Sequence, residues 1–139
     1  MFQHILVPTD LTDRTRRSLE TALGMAKPFD ARVTLLHVIE TIPGTTFEEL
    51  AEFYGKLEDK ARGAMAEQVR RAGAGRTQVA QRVVYGRRAQ EIVRFAADEQ
   101  VDLIVLASHR LDPAQGQAGL GAISYRVGIL STCHVLLVK

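Results

Sequence analysis

Asp102-Leu103-Ile104-Val105-Leu106-Ala107-Ser108-His109 decides how the rest of the chain is read. Residues 103 to 107 are apolar without polar alternation, and the run stops at Ser-His. Such a run suits a strand covered on both faces, as in a parallel sheet packed between helices. Four more runs of this kind lie outward from it: His4–Pro8, Val33–Val38, Val79–Tyr85 and Val135–Val138. The stretches between them show helical spacing. Leu19, Ala22, Leu23 and Ala26 fall at i, i+3, i+4 and i+7, with Thr12 or Asp13 as N-cap and Pro28 as the stop. Thr46 and Glu49 have capping-box spacing ahead of a long pattern from Phe47 to Val69, closed by Gly73 and Gly75. Ala89, Ile92, Val93, Ala96 and Ala97 form a third helical pattern. A fourth starts near Gly121 and carries Ile123, Val127 and Leu130. The order β-α-β-α-β-α-β-α-β predicts a layered α/β fold with a parallel sheet and right-handed crossovers. Glu40–Thr45, Ala72–Thr77 and Leu111–Gly119 are the expected flexible pieces.

Composition sets the outer bounds. At 139 residues the chain predicts one domain, and its 46% hydrophobic content excludes wholesale disorder. A domain of this size buries roughly 70% of the surface of its unfolded chain and needs no disulfide or metal staple. The 18 Lys+Arg against 16 Asp+Glu leave a net charge of +2, too small to point to nucleic acid or a membrane surface. The arginines are scattered, and the pairs Arg16–Arg17, Arg70–Arg71 and Arg87–Arg88 have acidic residues nearby, which suits solvated helix faces. A lone cysteine, Cys133, forbids an intrachain disulfide and fits a reducing compartment. No apolar run approaches the roughly 18 residues of a membrane span. Met1-Phe2-Gln3-His4 lacks the plan of a signal peptide. The expected location is the cytoplasm.

In doubly wound sheets ligands bind beyond the carboxyl ends of strands, where strand order reverses. If the first and fourth strands are neighbours, Asp10 and the segment from Ser108 to Gly121 share one crevice. Glycines at 116, 119 and 121 before a helix N-terminus resemble a general anion-binding arrangement, though this spacing is also that of an ordinary mobile loop. Other chemistry has little support. Ser108 and His109 are adjacent in sequence, which is not a nucleophile–base geometry, and no G-x-S-x-G elbow occurs. His4, His37, His109 and His134 lie on different elements without ligand spacing, so no metal is expected. Cys133, just before an apolar strand, reads as a small buried hydrophobe. Asp10 keeps two roles open: accepting bonds from the following helix N-terminus, or binding a ligand.

The same residues resemble the universal stress protein family along nearly the whole chain. Ile5-Leu6-Val7-Pro8-Thr9-Asp10 is similar to the first strand of that family, and Leu35-Leu36-His37-Val38-Ile39 to the second. Tyr85-Gly86 with Ala89 and Glu91-Ile92-Val93 resembles the third strand and its helix. Asp102 to His109 carries the strongest similarity. Leu120-Gly121-Ala122-Ile123-Ser124 and Cys133-His134-Val135-Leu136-Leu137-Val138 resemble the last helix and strand. The resemblance implies a three-layer, Rossmann-like, five-stranded parallel sheet of order 3-2-1-4-5. It also implies a stress-linked role and, in one branch, ATP binding. Expected site residues are then Pro8, Thr9 and Asp10 at the first strand, Val38 at the second, and Leu106, Ala107 and Ser108 at the fourth. Arg110, Gly121, Ala122 and Ile123 follow around the phosphate loop.

That loop departs from the family pattern G-x-x-G, nine residues, G-[ST]. Ala107 and Arg110 replace the first two glycines. Ten residues separate Arg110 from Gly121, and Ala122 replaces the closing hydroxyl. A Cβ blocks close approach of backbone N–H to a phosphate. A lost hydroxyl donor to an anion removes about 1.5–3 kcal/mol, a ten- to hundredfold loss in affinity. The expectation is a non-enzymatic module with a degraded nucleotide loop and no certain cofactor. The alternative is a protein that binds ATP with magnesium, or another adenine nucleotide, through Asp10, Val38, Arg110 and the Gly121 helix N-terminus. A small enzyme using Asp10 and His109 is a remote third reading. In the implied order Val135–Val138 is a sheet edge guarded only by Lys139, so a homodimer through that strand is expected.

Overall fold

The computed structural model of the chain describes residues 1–108 and 123–139. Its elements alternate as expected: β1 (His4–Pro8), α1 (Arg14–Ala26), β2 (Arg32–Glu40), α2 (Ala51–Ala72), β3 (Val79–Gly86), α3 (Arg88–Asp98), β4 (Leu103–Ala107), α4 (Ile123–Leu130) and β5 (His134–Val138). The five strands form one parallel sheet of order β3-β2-β1-β4-β5. The sheet order therefore reverses between β1 and β4. The segment Leu111–Gly119, and with it Arg110, Gly121 and Ala122, lies outside the described residues.

Strand periodicity divides the core into two halves. Ile5, Val7, Val33, Leu35, Leu103 and Val105 face α1 and α2, where Leu19, Ala22, Leu23, Ala26 and Met65 meet them. Leu6, Leu36, Val38, Ile104 and Leu106 face the opposite layer, where Ile92, Phe95, Ala96 and Val127 pack. The uniformly apolar runs of β1 and β4 follow from this, since both faces of each strand are covered. Cys133 packs at the edge of the second half, and burial raises its thiol pKa, as befits a small hydrophobe.

Two helix starts differ from the sequence expectation. Thr46 and Glu49 do form the capping-box pair, each backbone amide donating to the other side chain at 3.2 Å. Yet α2 begins at Ala51. The bonds from Leu50 N to Phe47 O and from Ala51 N to Glu48 O span three residues, the tighter 3-10 spacing, and the first four-residue bond is Tyr54 N to Leu50 O. The Phe47 ring, stacked on Tyr54 at 5.4 Å and edge-on to Tyr85 at 5.3 Å, fixes this turn. At α1, Asp13 occupies the N-cap position but its side chain makes no cap bond. The Thr12 amide donates instead to Asp10 Oδ1.

Candidate functional site

β1 runs out of the sheet at Pro8, and the chain then turns sharply toward α1. Leu11 takes a positive φ of 68°, a conformation that costs a non-glycine residue about 1–3 kcal/mol. Local bonds hold this turn. The Leu11 amide donates to Thr9 Oγ1 at 2.9 Å. The Thr12 amide and hydroxyl donate to Asp10 Oδ1 at 2.9 and 2.5 Å. Arg14 Nη2 stands 3.8 Å from Asp10 Oδ2. Burial alone would raise the Asp10 pKa, but the bonds from Thr12 and the nearby Arg14 charge outweigh it and hold the carboxyl below its ordinary range. Asp10 is thus an anion that is satisfied on one side and still a third exposed on the other, with 34% of its side chain accessible.

Beyond the ends of β1 and β4 the described residues enclose a cavity of about 220 Å³. Pro8, Thr9 and Asp10 reach it from β1, Val38 from β2, Leu106, Ala107 and Ser108 from β4, and Ile123 from α4. Every sequence-predicted site residue that falls among the described residues therefore meets in one place, at the reversal of strand order. Thr9 contributes mainly as scaffold. Its hydroxyl sits 3.0 Å from Thr15 Oγ1 and 2.9 Å from Gln68 Oε1, and His37 Nδ1 lies 2.8 Å from its carbonyl oxygen. Ser108 is tied to the neighbouring strand by its amide, which donates to Val138 O at 2.9 Å, and its hydroxyl lies 3.4 Å from that of Ser124.

Six further lining residues, Arg14, Thr15, Leu36, Arg88, Ile92 and Ser124, escaped sequence reasoning. Simple spacings carried the signal for some of them. Leu36 is two residues from Val38 on the same strand face, and Ser124 directly follows Ile123. The walls are accordingly divided. Leu36, Val38, Ile92 and Leu106 are apolar, while Asp10, Arg14, Thr15, Ser108 and Ser124 bring hydroxyls and charge. A flat apolar ring suits the first set and a hydroxylated or anionic group the second.

Comparison with known proteins agrees with this fold. The sequence profile of the universal stress protein family matches residues 1–139. A universal stress protein of Thermus aquaticus, named for its place in the QAH/OAS sulfhydrylase 3' region, is 32% identical over 142 residues and covers both chains fully. A universal stress protein solved in complex with cAMP superposes with a TM-score of 0.80 at 23% identity, covering 99% of this chain and 97% of its own. The universal stress protein of Archaeoglobus fulgidus, solved with dAMP, gives a TM-score of 0.69 at 19% identity, covering 99% and 98%. The family seen first in short strand-end motifs is the one to which the whole chain aligns, and this chain belongs to the universal stress proteins.

Proposed function

We propose that the chain is a non-enzymatic universal stress protein that binds an adenine nucleotide in the β1–β4 cavity and holds its nucleoside part more firmly than its phosphates. The observation that carries this reading is the cavity itself, where Asp10 and Val38 stand together at the reversal point beside an apolar wall. An adenine ring fits against Leu36, Val38 and Ile92. An ionised Asp10 repels phosphate, so its open side suits the hydroxyls of a ribose, which donate to a carboxylate. The structural neighbours solved with cAMP and dAMP support an adenine ligand. The phosphate end is the reduced one. Ala107 puts a Cβ where the family pattern has glycine, and Arg110 and Ala122 depart from that pattern in sequence.

The same groups support a non-enzymatic reading. Asp10 is a poor general base, because its pKa is depressed, its Oδ1 already accepts two bonds from Thr12 and its Oδ2 faces Arg14. The remaining described lining residues are neutral or cationic and include no histidine or cysteine. A second copy completes the assembly in this proposal. β5 is one edge of the sheet, and Leu137 within it is 36% and Ile129 and Leu130 ahead of it are 67% and 53% exposed. Pairing this edge with its twin removes an open strand. Among the described residues no helix is long and apolar enough to cross a membrane. With Cys133 kept as a free thiol, a cytoplasmic setting fits the chain.

Calorimetric titration with AMP, ATP and ATP plus magnesium tests the reading. Binding of AMP at least as tight as that of ATP is expected. ATP binding more than tenfold tighter would show that the loop grips phosphate after all, with Arg110 compensating. No binding of any of them at about 1 mM, an affinity worth about 4 kcal/mol, would remove the nucleotide.

A further inference from the structure

Arg88 opens α3 one turn before Ile92, and both side chains line the cavity next to Leu36 and Val38. Its ion pair with Glu40 sets it at the β2 end of the cavity, whereas Thr15 lies on α1, Ser108 just past β4 and Ser124 on α4. Glu40, the last residue of β2, faces it with Oε1 at 3.8 Å from Arg88 Nε. That separation is beyond hydrogen-bond reach, so this contact orients the guanidinium without consuming its donors. Arg88 keeps 39% of its side chain accessible. A donor-only, planar cation is thus held at the rim of a flat apolar slot.

We propose that Arg88 is a base-contacting residue: its guanidinium donates to the ring nitrogens of a purine lying against Val38 and Ile92, with Glu40 as the positioning residue behind it. The inference rests on the reading of the cavity as a nucleotide site. Ring nitrogens are acceptors, and guanidinium offers five N–H donors and no acceptor, so the match is chemical as well as steric. A phosphate at this position would lie against the apolar Leu36, Val38 and Ile92 and beside the Glu40 carboxylate, which repels it. The sugar then falls toward Asp10 at the other end, with the phosphate beyond it on the side of Arg14.

Adenosine and AMP separate the two possible partners of Arg88, because only AMP has a phosphate. Binding of each to the wild type, Arg88→Ala and Arg14→Ala is measured by calorimetry, with thermal melts of all three. Arg88→Ala is expected to weaken adenosine and AMP by the same factor, about tenfold, the loss of one charge-assisted hydrogen bond. Its melting temperature should be unchanged, since the side chain is open to water. Arg14→Ala should weaken AMP more than adenosine. A loss for AMP with adenosine untouched would make Arg88 a phosphate ligand and overturn the assignment. Unchanged binding of both by Arg88→Ala, with a wild type that binds, would overturn it while leaving the nucleotide site standing. A wild type that binds neither would overturn both.

Discussion

Asp10 is where scaffold and ligand roles coincide, and two substitutions separate them. Alanine removes the acceptor of the Thr12 amide and hydroxyl, at 2.9 and 2.5 Å, and the 3.8 Å ion pair with Arg14. Hydrogen bonds to a charged group contribute about 1.5–3 kcal/mol each where buried. With 34% of the side chain open to water, the two together come to about 2 kcal/mol. For a domain of this size that corresponds to a drop in Tm of roughly 6–10 °C. Asparagine retains the Oδ1 acceptor for Thr12, so its stability cost stays below about 1 kcal/mol. It loses the negative charge offered to a ribose hydroxyl, however, which is the difference between a charge-assisted and a neutral bond. That difference is about 1.4 kcal/mol, or tenfold in affinity. Differential scanning calorimetry and nucleotide titration read the two effects separately. Asp10→Asn should melt close to the wild type and bind AMP about tenfold more weakly. An Asp10→Asn protein that binds AMP as the wild type does would confine Asp10 to the turn. An Asp10→Ala protein with unchanged Tm would refute the account of the turn itself.

Four further outcomes follow from particular residues. Ile104→Ala, fully buried on β4, should cost about 2–5 kcal/mol by denaturant unfolding, and a loss under 1 kcal/mol would contradict the packing of the α3–α4 half of the core. Gly86 has φ 146°, and a Cβ there would lie 2.7 Å from the Glu91 side chain, so Gly86→Ala should destabilise by about 1–3 kcal/mol, with Glu91→Ala restoring only the steric part. His4 is buried between Thr34 Oγ1 and Glu99 O, and burial, followed by the nearby Arg32 charge, keeps its pKa below 6.5 despite the Glu99 bond. The folded state therefore binds fewer protons than the unfolded chain, so stability should be full above about pH 6.5 and fall as pH drops below it. A His4→Gln protein should lack that fall, and an identical pH profile would remove His4 as its source. Light scattering should give a particle of twice the 15.3 kDa chain, reduced to one chain by Leu137→Lys, and a monomeric wild type would discard the β5 interface.

Much of this was legible in the residues because burial on both faces leaves a plain signature. The runs at Ile5–Val7 and Leu103–Leu106 have no alternation, and both strands prove central in the sheet. Asp10 and Ser108 could be placed together because strand ends at a reversal point are fixed by topology, and the family resemblance added Val38. The start of α2 was less legible: the capping box is real, but aromatic packing of Phe47 on Tyr54 and Tyr85 favours a tighter turn before the helix. Arg14 and Arg88 were hidden for a different reason. Each lies on a helix among other charged residues, where sequence alone reads a solvated face, and only the packing of α1 and α3 on the sheet turns them to the cavity.

The most direct test of the account is a backbone-amide NMR titration of the full chain with AMP. It reports in one experiment whether the nucleotide binds and where. Saturable shifts confined to the ends of β1, β2 and β4, centred on Asp10, Val38 and Ser108, are predicted. Shifts clustered at the opposite edge, around His4 and Glu99, or none up to about 1 mM AMP, would contradict it.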